Sequence, residues 1–168
     1  MGSRAISVPN WKDRYWFSPQ GYPLNKSIAD WLLEEESMTR RCECYCREVT
    51  VQPQFEGYVS AESLAGEASE LPVDQRYWVR EILLFGDNIP WLWARTVVPE
   101  FTLSGPELSL KTLGTTPLGR YLYAQPALER DYIQISLLDS LWGRRSRLRL
   151  SGKPLLLTEI FLPSAPLY

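Results

Sequence analysis

The sequence predicts a single domain of the α+β class, in which helices pack on a largely antiparallel sheet. Strand patterns joined by hairpin turns recur along the chain, with helical segments inserted between them, and this order favours antiparallel pairing. The composition agrees, because 168 residues with 45% hydrophobic and 23% charged side chains are sufficient for one well-packed core. We therefore expect residues 1–168 to form one domain.

The first part of the chain predicts an arm followed by a helix. Residues 1–22 show neither helical nor strand periodicity, which indicates an extended N-terminal arm. After it, apolar residues recur at helical spacing at Ile28, Trp31 and Leu32. The helix that they predict is capped by Asn25 or Ser27 and ends near Met38.

Seven later segments have the residue pattern of strands. They are residues 40–46, 49–60, 76–85, 91–98, 132–135, 145–150 and 155–162. Between the fourth and fifth of them, Ser104 can cap a helix that stops at Gly114, and Thr116-Pro117 can open a second one. The helices therefore interrupt a series of hairpins.

The residue types that are missing exclude several kinds of chemistry. The chain has no histidine, and histidine-based triads, cysteine–histidine pairs and most catalytic zinc sites require an imidazole. It also lacks the glycine-rich motifs that bind nucleotide phosphates. We expect no cofactor and no metal.

The charge balance indicates the class of partner. A net charge of -2 gives no general attraction to nucleic acid or to an anionic membrane. The 14 arginines outnumber the 4 lysines, and arginine is the side chain that binds carboxylates bidentately. No stretch approaches the ~20 apolar residues of a membrane span, and the N-terminus lacks a signal-peptide pattern. The expected ligand is a small anion, and the expected location is the cytoplasm without membrane insertion.

Three cysteines, Cys42, Cys44 and Cys46, alternate with other residues and would share one face of a strand. A metal site is the less favoured alternative, because tetrahedral zinc requires ligands from separated segments. We interpret these cysteines as small apolar side chains in a reducing compartment.

Charged residues occur where strand alternation predicts a core. Arg80 falls on the face of Trp78, Ile82 and Leu84, and Glu159 is the one charge in an apolar run. Arg95 similarly shares a face with Trp91 and Trp93. Buried charges require partners, so Arg80 and Glu159 pair with each other or line a pocket, and both can hold in one pocket. In such a pocket arginine binds a carboxylate and Glu159 moves a proton.

Two further elements have alternative interpretations. The helix predicted after Thr116-Pro117 offers the free amide of Leu118 to a carboxylate, or is an ordinary helix start. Arg145, Arg147 and Arg149 form a stripe that could bind nucleic acid, but a solvated outer face is favoured because the net charge is negative.

Long segments of the chain closely resemble bacterial chorismate lyases. They are residues 30–33 (DWLL), 37–39 (SMT), 76–84 (RYWVREILL), 95–99 (RTVVP), 103–108 (LSGPEL), 116–122 (TPLGRYL), 141–163 (LWGRRSRLRLSGKPLLLTEIFLP) and 166–168 (PLY). The resemblance runs in order from the first helix to the last residue, which makes it highly specific.

The resemblance implies a six-stranded antiparallel sheet whose helices cover a sequestered active site. It implies a monomeric, cofactor-free enzyme that converts chorismate into 4-hydroxybenzoate and pyruvate, supplying the ring precursor of ubiquinone. Matched by motif, the substrate-binding positions are Met38, Arg80, Leu118 and Glu159, with Arg80 and Glu159 carrying the catalysis.

Two points stay open at this stage. Arg95 is a possible secondary site residue that holds the second carboxylate or lines an access route, and its alternative is an ion pair. The alternative function is a non-enzymatic sensor of small carboxylates, because ligand-binding domains of some bacterial transcription regulators resemble this fold.

Overall fold

The computed structural model describes residues 7–168 and contains one six-stranded antiparallel sheet with short helices, which confirms the α+β prediction. The strands are β1 (Val49–Val59), β2 (Tyr77–Gly86), β3 (Ile89–Pro99), β4 (Leu128–Leu138), β5 (Leu141–Leu150) and β6 (Lys153–Phe161). Their order across the sheet is β1-β2-β3-β6-β5-β4. The last strand therefore lies in the centre, between β3 and β5.

Three tight turns set the register of the sheet. Asp87-Asn88 joins β2 to β3, Asp139-Ser140 joins β4 to β5, and Ser151-Gly152 joins β5 to β6. All six turn residues have positive φ, between 48° and 79°. Two-residue turns of this kind match the twist of antiparallel strands, so each one fixes which residues face each other.

The first helix, α1 (Lys26–Leu32), begins as predicted at Asn25, whose side chain accepts a hydrogen bond from the Ile28 amide. The prediction that it continues to Met38 was wrong. Arg144 Nη1 donates to the carbonyl oxygens of Leu32 and Glu34, at 3.4 and 2.6 Å. This contact stabilises the carbonyl groups at the end of the helix, which have no partner within it.

Residues 40–46 were wrongly predicted as a strand. The second helix, α2 (Met38–Glu43), occupies most of this segment and is capped by the Ser37 hydroxyl, which accepts from the Arg40 amide. The three cysteines therefore do not share a face, since Cys42 is buried and Cys44 is exposed. Three alternating positions are too few to distinguish a strand from a helix, and the capping residue Ser37 is the signal for the helix.

The segment after Ser104 differs in helix type. Gly105–Thr112 is a 3₁₀ helix, and the Ser104 hydroxyl donates to the Phe101 carbonyl instead of capping it. The second predicted helix is present as α3 (Leu118–Leu122), directly after Pro117. Other 3₁₀ helices are Ala61–Ser63, Gly66–Glu70 and Glu100–Thr102.

The first part of the N-terminal arm packs on one face of the sheet, and its later part pairs with the edge strand β4. Trp11 stacks on Trp93 of β3, with the ring centroids 6.3 Å apart, and Phe17 pairs with Ile135 of β4 through backbone hydrogen bonds. Residues 1–6 of the predicted arm lie outside the described residues. The opposite face carries α1, α2 and α3. Within the described part of the chain, no helix is long and apolar enough to cross a bilayer.

Candidate active site

A cavity lies between the sheet and the two helices α2 and α3. It contains about 580 Å³ of space free of protein atoms, counting its opening. Met38, Arg80, Leu118 and Glu159 all line it, although they come from α2, β2, α3 and β6. The fold thus brings together all four positions that the sequence motifs had indicated.

Arg80 is 3% exposed and is held against the segment that leads into α3. Its Nη2 donates to the carbonyl oxygens of Gly114 and Thr116, both at 3.0 Å. Nε lies 3.5 Å from Glu56 Oε1, which gives charge attraction without the geometry of a hydrogen bond. Burial lowers the pKa of Arg80, and the nearby Glu56 carboxylate opposes that shift. The guanidinium stays charged, because arginine starts from so high a pKa.

Glu159 is buried as predicted, and its partner is Arg144 of β5. Arg144 Nε donates to Glu159 Oε1 at 2.8 Å, and the two residues are 2% and 4% exposed. An Arg80–Glu159 pair, one of the two alternatives from the sequence, is not among the ion pairs of residues 7–168. The arrangement compensates the charge of Glu159 inside an apolar cavity, which burial otherwise makes costly.

Arg144 also lines the cavity and was missed by sequence reasoning. The signal was present, because Arg144 alternates with Leu148 and Leu150 on the buried face of β5. The prediction for this strand concerned only Arg145, Arg147 and Arg149, which lie on its other face.

Arg95 lies on the opposite face of the sheet and does not line the cavity. Its Nε and Nη2 each donate to Glu67 at 3.0 Å, and Nη1 donates to Glu81 at 2.8 Å. The guanidinium also packs over the Trp11 ring, 4.0 Å from its centroid. The geometry therefore corresponds to the ion-pair alternative.

The arginine stripe of β5 is occupied by acidic partners. Arg145 is within 3.6 Å of Glu70, and Arg147 and Arg149 both donate to Asp131, at 2.9 and 2.8 Å. Arg145 is only 8% exposed, so the prediction of a wholly solvated face was wrong for this residue. Side chains engaged in this way are poorly placed to bind phosphates.

Close contact between α2 and α3 covers the cavity. A Cβ atom at Gly119 would lie 2.8 Å from Thr39 Oγ1 and 2.9 Å from Ser37 Oγ, so the helices approach closely because this residue is glycine. Tyr123, directly after α3, donates to the Glu35 carbonyl at 2.8 Å. These contacts close the site from the side opposite the sheet.

Comparison with known proteins identifies the family. The model of the family described as chorismate lyase matches residues 12–168. A chorismate pyruvate-lyase from Cronobacter sakazakii is 62% identical over 145 residues, which cover 86% of each chain. One from Yersinia enterocolitica is 58% identical over 153 residues, 91% of each chain.

Among solved structures, PhnF from Mycobacterium smegmatis shares the fold with a TM-score of 0.53 and 12% identity, over 78% of this chain and 65% of that one. Similarity at that level of identity concerns the fold alone. The family match and the long, highly identical relatives show that this chain belongs to the chorismate lyase family.

Proposed function

We propose that this protein is an enzyme that removes the enolpyruvyl group of chorismate, giving 4-hydroxybenzoate and pyruvate. The observation that carries the proposal is the single cavity lined by Arg80, Leu118, Met38 and Glu159. It combines a buried cation, which can bind the carboxylate of an anionic substrate, with a buried carboxylate that can accept a proton, both in apolar surroundings. The names of the highly identical relatives support the same reaction.

Arg80 and the Leu118 amide bind the carboxylate on the ring. The carbonyl groups of Gly114 and Thr116 engage Nη2 of Arg80, which leaves Nη1 to donate to the substrate. The same contacts fix Arg80 beside the segment that ends at Leu118, so both donors act from one side of the cavity. Holding the substrate in a reactive geometry supplies a large part of the catalysis.

The reaction breaks the bond between the ring carbon and the ether oxygen. The adjacent ring carbon loses its proton, the ring becomes aromatic, and the departing methylene carbon gains a proton to become the methyl group of pyruvate. Glu159, with its charge compensated by Arg144, acts as a carboxylate. It either takes the ring proton or orients the substrate while the proton passes within the substrate.

Apolar side chains exclude water from the reacting atoms. Besides Met38, which forms part of the wall, they are Val51, Ile82, Leu84, Leu92, Leu122, Leu148 and Leu157. A dry cavity strengthens the electrostatic contacts of Arg80 and Glu159 with the substrate. Independence of cofactors, a monomeric state, a cytoplasmic location and a place in ubiquinone synthesis stay predictions.

Incubation of the purified protein with chorismate in excess chelator tests the proposal. We expect equimolar 4-hydroxybenzoate and pyruvate from the parent protein and severe loss of both in Arg80→Ala and Glu159→Ala. Arg149→Gln, which removes a half-exposed arginine outside the cavity, serves as the control. A parent protein that binds 4-hydroxybenzoate tightly but turns over no chorismate would favour the sensor alternative.

A further inference from the structure

The cavity has to bind one more carboxylate in the substrate than in the product. On the proposed function, chorismate carries two carboxylates, one on the ring and one on the enolpyruvyl group, whereas 4-hydroxybenzoate carries one. Arg80 and Leu118 account for the ring carboxylate. The second carboxylate enters the same apolar cavity and requires a cation of its own.

Three arginines line the cavity, and their partners distinguish them. Arg80 is 3.5 Å from Glu56, and Arg144 is 2.8 Å from Glu159. Arg130 of β4 is in no ion pair within residues 7–168. Its donors instead reach neutral oxygens, those of the Ser146 and Tyr123 hydroxyls and of the Glu35 carbonyl. Arg130 is therefore the lining cation whose charge has no carboxylate opposite it.

The sheet register separates the Ser146 contact of Arg130 from Arg80. Arg80 aligns with Thr96, Leu157 and Ser146 on successive strands, and the Arg130 guanidinium contacts Ser146. Three strand spacings of about 4.8 Å separate Arg80 from Ser146, or roughly 14 Å. Both arginines line the cavity, and the Ser146 contact of Arg130 is thus three strands away from the backbone of Arg80.

Glu159 lies in the neighbouring row of aligned residues, next to the row that contains Arg80 and Ser146. It aligns with Arg144, which is two residues from Ser146 on the same face of β5. A group held by Arg130 is therefore close to the carboxylate proposed to act on the ring. Arg130 also borders an outer groove formed with residues 18–20, so it lines both the cavity and a groove on the surface.

We propose that Arg130 binds the carboxylate of the enolpyruvyl group and so discriminates chorismate from 4-hydroxybenzoate; this rests on the proposed function. The substrate carboxylate replaces the neutral oxygens as the partner of the guanidinium. When pyruvate leaves, these oxygens take up the donors again. Arg130 thereby takes the role that the sequence suggested for Arg95, which faces the other side of the sheet.

Arg130→Gln tests the proposal by separating substrate from product. Because hydrogen bonds between charged groups are strong, we expect kcat/KM for chorismate to fall about 10- to 100-fold. The Kd for 4-hydroxybenzoate, measured by tryptophan fluorescence, stays nearly unchanged. Arg80→Gln weakens both, and Arg130→Lys restores part of the loss because it keeps the charge without the fork of donors.

Arg130 could instead act only by holding Tyr123 in place. Tyr123→Phe is the matched control for that role, because it removes the Tyr123 hydrogen bonds and leaves the Arg130 charge. We expect it to keep the discrimination between chorismate and 4-hydroxybenzoate. Equal effects of Arg130→Gln on both ligands, no effect on either, or the same selective loss in Tyr123→Phe would overturn the proposal. An inactive parent protein refutes the proposed function and this inference with it, whereas an active parent with an unaffected Arg130→Gln refutes this inference alone.

Discussion

At Glu159, a guanidinium lies on one side of the carboxylate and the cavity on the other. The two proposed roles of this residue respond differently to an isosteric change. If Glu159 takes the ring proton, Glu159→Gln lowers kcat as severely as Glu159→Ala, because neither variant has a base. If it orients the substrate, glutamine retains much more activity than alanine. Single-turnover rates of the two variants decide between the roles.

Arg144 compensates a buried charge, and its removal has a predictable cost. Arg144→Met leaves Glu159 buried without its cation and should lower the free energy of unfolding by about 3–5 kcal/mol. The double variant Arg144→Met, Glu159→Leu should recover part of that stability while remaining inactive, because it removes the unpaired charge but not the loss of the hydrogen bonds to Leu32 and Glu34. Urea denaturation of both variants measures the difference. Equal instability of the single and double variants would contradict the ion-pair explanation.

Cys42 links stability to alkaline pH. Burial, with the nearby Glu159 adding to it, raises the pKa of the Cys42 thiol from 9.0 to about 12. The unfolded chain therefore loses this proton first, so the stabilisation present below pH 9.0 is lost progressively as pH rises towards about 12. Denaturation midpoints measured between pH 8 and about 11 should fall less steeply in Cys42→Ala than in the parent. Equal slopes in Cys42→Ala and in the parent protein would contradict the raised pKa of Cys42.

Among the elements, the contact of α2 with α3 depends on one missing side chain. Gly119→Ala places a Cβ within 3 Å of the Thr39 and Ser37 hydroxyls and should push the helices apart. We expect faster dissociation of 4-hydroxybenzoate, measured by stopped-flow fluorescence. Gly66→Ala is the matched control, since a Cβ at Gly66 meets nothing within 4 Å. An unchanged dissociation rate in Gly119→Ala would mean that this contact does not retain the product.

The elements that were predictable from sequence are those with strong local signals. Five strands have alternation next to clear turns, and Asn25 is a typical helix cap. Residues 40–46 gave the wrong prediction because three alternating cysteines are too short a pattern to separate a strand from a helix. Strand β4 begins at Leu128, but the prediction began at Tyr132, because the charged triplet 129–131 precedes it.

The site follows the same physical logic. Arg80 and Glu159 were indicated by charge in apolar strands, and Met38 and Leu118 by family motifs. Arg144 could have been found from its alternation with leucines. Arg130 could not, since the register of β4 shifts between Arg130 and Tyr132, and this irregularity breaks the alternation that would show which face it occupies.

On the scale of the whole molecule, one face of the sheet forms the cavity and the other carries ion pairs that stabilise the fold. Arg95 joins Glu67 of a 3₁₀ helix, Glu81 of β2 and Trp11 of the arm on the face away from the cavity. Arg95→Met leaves Glu67 buried without its cation and should destabilise the fold by about 3–5 kcal/mol. The folded fraction should keep the parent's kcat/KM for chorismate. A loss of kcat/KM with unchanged stability would instead assign Arg95 a part in binding.

The central position of β6 has a consequence for how the chain is made. During synthesis from the N-terminus, β1–β3 and β4–β5 can form two hairpin blocks before β6 emerges. Neither block contains Glu159. The two blocks share no strand pairing until β6 inserts between β3 and β5. A ribosome that stops early therefore releases two unjoined blocks with exposed strand edges, which proteases can recognise. Joining of the two blocks and arrival of the acidic group Glu159 then coincide in one event, the insertion of β6.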